Sequence, residues 1–232
     1  MARLSNIFQW GVILTFLFPS LSFSQKLTTK LADKSFEEFA YMEAISLYEY
    51  AYEKDTTDNY LIKRLAESNR NVGNTEAVES WLKKLIDRHT EQPEDIFNYS
   101  QALKSNGKYL LAEQWLKEYS DLRPEDGRVN MQVSLLEYIK FLMRDSTNYE
   151  ILNTAINTIG SDMGPAFYKD KLIFSSTSIG TKASATYNWN ELPYLKMHSA
   201  KIGPYGDLNS VESFAPKLKT AYHDGPVSID SK

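Results

Sequence analysis

The chain has 232 residues, 26 Lys and Arg against 30 Asp and Glu, a formal net charge of −4 and no cysteine. The missing thiols exclude disulfides, thiolate metal sites, a cysteine nucleophile and lipid attachment to an N-terminal cysteine. Mild acidity argues against nucleic acid, whose binding calls for a basic face, and the length suffices for one or two domains with real cores.

Arg3 is the only charge before Lys26, and Trp10 to Phe18 forms a compact apolar run. Pro19 breaks any helix there, and Ser22-Phe23-Ser24 places small residues at the two positions a signal peptidase reads. This predicts a cleaved signal peptide over residues 1–24 and an exported protein. The run from Trp10 to Phe18 is far shorter than the ~20 residues needed to span a bilayer, and no later segment is apolar enough to do so.

From Lys26 to about Arg144 the apolar residues follow a helical period. Leu27, Leu31 and Phe39 are expected to line a first helix, and residues 41–54 form its partner. Leu61 and Leu65 mark a helix from about Asn59 to Asn71, closed by a Gly73-Asn74 turn. The next helix begins near Pro93, carries Ile96, Tyr99 and Leu103, and turns at Asn106-Gly107. Residues 107–124 make its partner. A seventh helix, about 128–143, with Val129, Val133, Leu136 and Leu142, is expected to cap the array, because an exposed end face would stay wet.

Three of these helices share a mark. Ala44, Tyr48, Ala51 and Thr56 recur as Ala112, Leu116, Tyr119 and Pro124, and more loosely as Ala77, Trp81, Lys84 and His89. A small residue lets two helices approach, a bulky one four residues on fills the gap, and the last position ends the helix. Spacings near 34 residues resemble tetratricopeptide-type helix–turn–helix repeats. The second copy departs most, with Lys84 and His89 in place of a small residue and a proline. In such solenoids the first helix of each pair lines the concave groove. Lys63, Arg64, Asn69, Asn98, Gln101 and Lys104 are therefore the candidates for holding a peptide's backbone or carboxylates. Tyr48, Trp81 and Tyr119 read as helix–helix core, whereas Tyr52 and Tyr60 lie off that stripe and are candidates for a surface anchor.

After Asp145 the alternation shortens, and Ser, Thr, Asn and Gly become frequent. Leu172–Ser176 reads as a strand entered through the turn Tyr168-Lys169-Asp170-Lys171, Tyr194–His198 as another, and Val227–Ile229 as the start of a third. Gly203, Pro204, Gly206, Pro216, Gly225 and Pro226 punctuate the rest, a pattern of short strands that suggests a sandwich or a propeller blade.

Chemistry-bearing constellations are sparse. His89, His198 and His223 are too scattered for a ligand pair, and neither an HExxH nor an aspartate-rich calcium loop occurs. Gly203-Pro204-Tyr205-Gly206 lacks phosphate-loop spacing, Glu37-Glu38 and Glu49/Glu53 read as solvated helix faces, and no Gly-x-Ser-x-Gly elbow appears. The reading is of a non-enzyme with no catalytic residue, cofactor or metal.

Asn157–Tyr168 followed by Lys171–Ser176 resembles the opening blade of a TolB-like propeller. Tyr187-Asn188-Trp189 with Pro193-Tyr194-Leu195 continues the signature, and His223-Asp224-Gly225-Pro226-Val227 looks like entry into the next blade. The order signal, repeats, propeller resembles the large OmpA-family envelope proteins of Bacteroidota, including PorE-like components linked to type IX secretion and gliding. Asp55-Thr56-Thr57 and Asp145-Ser146-Thr147 also resemble the short acidic Ser/Thr motif O-glycosylated in exported proteins of that group; the alternative is turn residues whose hydroxyls satisfy nearby backbone.

The expected fold class is therefore α + β in separate domains. Residues 1–24 are the signal peptide, 25–145 a tetratricopeptide-like solenoid of about three pairs plus a capping helix, and 146–232 the first blade and start of the second of an incomplete all-β propeller. What the resemblance implies is a periplasmic scaffold associated with the outer membrane, whose repeats hold a protein such as a PorP/SprF-type barrel or another secretion-machine subunit. Peptidoglycan binding belongs to a C-terminal domain of that family to which no residue here corresponds. The alternative is a peptide- or carbohydrate-processing or binding accessory that uses a completed propeller.

Overall fold

The computed structural model describes residues 26–130, 135–177 and 185–230. The segment 1–24, expected to be a signal peptide, and Val133 thus lie outside the described residues, as do the side chains of Val129 and Leu136. The chain divides into two compact units, Met1–Asp145 and Ser146–Lys232.

The first unit is all-α. Its helices are α1 (26–37), α2 (Tyr41–Lys54), α3 (Asn59–Asn71), α4 (Thr75–Asp87), α5 (Pro93–Ser105), α6 (Tyr109–Leu122), α7 (Gly127–Asn130) and α8 (Leu135–Met143). Tyr41, Thr75 and Tyr109 open α2, α4 and α6, while Asn59, Pro93 and Gly127 open α3, α5 and α7. Both series advance by 34 residues, the period of tetratricopeptide-like arrays. From α2 to α6 each helix packs on the next, and α8 packs on α6, so the unit is a solenoid of antiparallel helix pairs.

Local chemistry sets the boundaries. Asp58 caps α3 by accepting from the Tyr60 N–H at 2.8 Å, and Asn74 caps α4 by accepting from the Ala77 N–H at 3.2 Å. Pro93 opens α5 where its missing N–H costs nothing. Gly73 and Gly107 take φ of +79° and +74° in the two tight turns, a conformation that glycine adopts without a Cβ clash. Asn106 then joins neighbouring turns: its Nδ2 donates to Thr75 O and Glu79 Oε2, and its Oδ1 accepts from Thr75 Oγ1.

Two apolar clusters run through the solenoid. One joins Ala32, Ala44, Ile45, Tyr48, Ala51, Leu61 and Leu65; the other runs from Ile62 through Leu82 and Leu103 to Tyr119. Tyr52 and Trp81 pack against both, meeting edge to face at 5.0 Å. The alanine register holds in α2 and α6, where Ala44, Tyr48, Ala51, Ala112, Leu116 and Tyr119 are all buried. In α4 the buried stripe is Val78, Leu82, Leu85 and Ile86, one position on from Ala77, Trp81 and Lys84. One residue is about 100° of helix rotation, so here the larger Val78 takes the inward place and Ala77 is left half-buried.

At the first helix the expectation reverses. Leu27, Leu31 and Phe39 are exposed, and α1 instead turns Ala32, Ser35 and the half-buried Phe36 toward its neighbours. Small residues permit the close approach to α2, and Phe39 lies past the helix end at φ +60°. At the other end, Ile139 of α8 packs on the second cluster, whereas Leu142, Tyr138, Phe141 and Met143 are exposed.

The second unit is a four-stranded antiparallel sheet in the order β1-β2-β3-β4, with β1 Asp162–Tyr168, β2 Lys171–Ser176, β3 Lys196–Ile202 and β4 Leu208–Ser213. Tyr168-Lys169-Asp170-Lys171 is the hairpin turn between β1 and β2, with Lys169 at φ +54°. β1 and β4 were not legible as strands; both are half-exposed edges whose register is broken, near Gly164-Pro165 and between Ser199 and Lys201. The strand expected at Tyr194–His198 starts two residues later, because Leu195 pairs elsewhere: its N–H donates to His223 Nδ1 and its carbonyl accepts from the Asp224 N–H. Val227–Ile229 forms no strand. The chain before it is tied down by Asp224, and Pro226 packs on Gly164 without an N–H to offer a ladder.

That tie is compact. Lys196 Nζ lies 2.9 Å from Asp224 Oδ2, with side chains only 13% and 3% exposed. Thr220 Oγ1 donates to Asp224 Oδ1, Lys196 Nζ also donates to Thr220 O and Tyr222 O, and Ser175 Oγ donates to Asp224 O. Tyr187, Tyr194 and His223 pack edge to face around this loop.

Candidate functional site

The first helices of the pairs, α3 and α5, enclose a cleft of about 220 Å³ with α4 beneath. Its floor is Ala66, Val78 and Leu82, and its rim is Lys63, Glu67, Arg70, Asp95 and Asn98. Lys63 and Asn98, selected from sequence, meet here. Lys63 Nζ lies 2.7 Å from Asp95 Oδ2. Asp95 is buried because it also accepts from the Gln92 N–H at 2.7 Å and so helps to start α5. Asn98 Oδ1 accepts from the Arg70 guanidinium at 3.1 Å, and Arg70 lies 4.0 Å from Glu67.

Gln101 and Lys104 follow Asn98 along α5, outside the cleft lining. Gln101 Nε2 donates to Ser100 Oγ at 3.3 Å, and Lys104 is half-buried without an ion pair among the described residues. Asn69 and Arg64 are engaged within the solenoid. Asn69 is buried, its Nδ2 donating to Leu65 O at 2.8 Å within its own helix.

Arg64 is the hub of a network across three helices. Its guanidinium stacks 3.6 Å from the centroid of Phe36 in α1, and its Nε donates to Tyr48 Oη in α2 at 2.9 Å. Tyr48 and Tyr60 both donate to Asp33 Oδ1, at 2.6 and 2.5 Å. Burial, then the bond to Asp33, pushes the Tyr60 hydroxyl up to about 12 and that of Tyr48 further, so both remain protonated donors. A second hub repeats the arrangement: Arg128 stacks 4.1 Å from the Phe97 centroid, forks onto both Glu94 oxygens at 2.9 Å, and donates to Tyr119 Oη. Sequence reasoning missed Asp33, Asp95 and Arg128. Their partners on other helices sit 9 to 34 residues away, beyond the reach of any local sequence pattern. Tyr60 is half-exposed but tethered, and Tyr52 is held by Trp81 and Arg88.

The second unit offers a different concavity of about 210 Å³, lined mainly by apolar groups including Ile156, Met163, Leu172, Phe174 and Leu208. Its one ionisable lining group, Asp162, accepts from Thr158 N and Oγ1. His198 is buried on β3 and its Nε2 has no hydrogen-bond partner. Burial, with Lys219 nearby, holds its pKa below the usual histidine value, so the ring is neutral. Among the described residues no group of three or more His, Asp or Glu is placed to hold a metal ion, and no helix is long and apolar enough to cross a membrane.

No family model matches the sequence, and no curated protein matches it. Solved structures similar to it include the first TPR of Spaghetti (RPAP3) bound to the HSP90 peptide SRMEEVD. That match has 16% identity and a TM-score of 0.43 over 52% of this chain and 93% of that one. Yeast Tom70 matches with 17% identity and a TM-score of 0.46, over 54% of this chain and 26% of its own. Both scores lie below 0.5, so the solenoid assignment rests on the 34-residue advance of helix starts and the packing of successive helices.

Proposed function

We propose that the chain is a non-catalytic, exported scaffold whose helical repeats hold an extended segment of a protein partner. The observation that carries this is the cleft between α3 and α5. It combines an apolar floor with a polar rim on the two helices that a solenoid presents to its groove. Export is supported by the apolar run Trp10–Phe18 followed by small residues. Placement in the periplasm at the outer membrane, and a partner such as a PorP/SprF-type barrel or secretion-machine subunit, rest on the sequence resemblance. The reading of the second unit as part of a propeller is supported by its four-stranded antiparallel meander.

A photo-crosslinking residue at Gln101, compared with one at the exposed Lys83 of α4, tests this in native cells. A discrete adduct from position 101 alone, in the envelope fraction, is the expected outcome. Identical adducts from both positions, or none, would refute groove binding, and recovery of the protein only in the cytoplasm would refute export.

A further inference from the structure

The cleft between α3 and α5 is too small for most whole ligands. Pockets for drug-sized molecules run to roughly 300–1,000 Å³, against about 220 Å³ here. The scale is that of a side chain. Its four charged rim residues, Lys63, Arg70, Glu67 and Asp95, sum to zero. Each cation already has a carboxylate: Lys63 is 2.7 Å from Asp95, itself buried and hydrogen-bonded, and Arg70 is 4.0 Å from Glu67. A ligand carboxylate would meet no unneutralised cation here, since Lys63 is already paired with the buried Asp95 and Arg70 is held by Glu67 and Asn98. The floor of Ala66, Val78 and Leu82 offers no polar side chain. Asn98 spends its Oδ1 on Arg70, which leaves its Nδ2 as a free donor at the rim.

We infer that this cleft takes one uncharged aliphatic side chain of an extended peptide, while Asn98 Nδ2 donates to a carbonyl of the peptide main chain. The inference rests on the protein-binding reading above and gives its chemistry. The partner is selected by an apolar anchor and its backbone, not by acidic groups. Such binding is nearly independent of salt, because no net charge is neutralised across the interface.

The test selects phage-displayed random dodecapeptides on the full chain and measures affinity of the winning peptides at 50 and 500 mM NaCl. The expected consensus has one Leu, Ile, Val or Met and no enriched Asp or Glu, with affinities agreeing within about twofold between the two salts. Ala66→Met, which fills the cleft, should abolish binding. Asn98→Asp, which removes the donor at a half-exposed site, should weaken it about five- to tenfold; circular dichroism checks folding of both. If Ala66→Met fails to fold, Asn98→Asp still decides. An acidic consensus with strongly salt-sensitive affinity would overturn the inference and leave peptide binding standing, as would peptides that bind Asn98→Asp unchanged. Failure to select any peptide would sink both readings.

Discussion

Arg64 is expected to hold the solenoid together, and Arg64→Ala measures that directly. The substitution removes the stack on Phe36 at 3.6 Å, the hydrogen bond to Tyr48 Oη at 2.9 Å and an ion pair with Glu67 at 3.1 Å. It also strips the nearest cation from Asp33, whose Oδ1 already receives two tyrosine hydroxyls. The stack contributes about 0.5–2 kcal/mol, and a hydrogen bond from a charged donor about 1.5–3 kcal/mol. The part-exposed Glu67 pair adds less than about 1 kcal/mol. With the Arg64 side chain still 19% exposed, the lower part of the range applies, a loss of about 2–3 kcal/mol. At an m-value of about 1–3 kcal/mol per molar urea, the helical transition should move down by roughly 1–2 M. Far-UV circular dichroism during urea titration reads this transition. Arg64→Lys should recover only part, since an ammonium cannot both stack flat and direct Nε at Tyr48. A midpoint shift below about 0.3 M for Arg64→Ala would refute the hub, and would return Arg64 to the list of free groove residues.

The second unit makes two further predictions. Lys196→Ala leaves the buried Asp224 carboxylate without its cation and should cost about 3–5 kcal/mol, read as an early loss of tryptophan fluorescence from Trp189; a loss under about 1 kcal/mol would show that Thr220 alone holds the loop. Burial alone would raise the Asp224 pKa, but bonds from Thr220 and Lys196 bring it below the usual value. The stability it contributes is therefore present above an unfolded pKa of about 3.9 and lost as pH falls below it. His198 acts at higher pH. Its folded pKa is depressed, so the unfolded chain binds the proton first and stability falls as pH drops below about 6.5. His198→Phe should flatten the slope of unfolding midpoint against pH between about 7 and 5; an unchanged slope would place the acid-sensitive group elsewhere.

The sequence carried much of the fold, and the reasons are local. Helix ends are written in Asp58, Asn74, Pro93 and the glycines at 73 and 107, whose effects act within a few residues. The alanine lock was readable in α2 and α6 because small-then-bulky spacing is a property of one helix face. It misled in α4, where Val78 competes with Ala77 for the inward position and only the neighbouring helices decide. The edge strands β1 and β4 were illegible because one-sided exposure and broken register remove the alternation that marks a strand.

The candidate site divides along the same line. Lys63, Arg64, Asn69, Asn98, Gln101 and Lys104 follow from repeat geometry, which the 34-residue period alone supplies. Which of them are free to meet a partner depends on groups from other helices: Asp95 on Lys63, Phe36 and Tyr48 on Arg64, Arg70 on Asn98. A helical period fixes the face on which a side chain stands, through bonds reaching four residues. Whether its charge is already neutralised depends on through-space distances between residues tens of positions apart, and those exist only once the helices have packed.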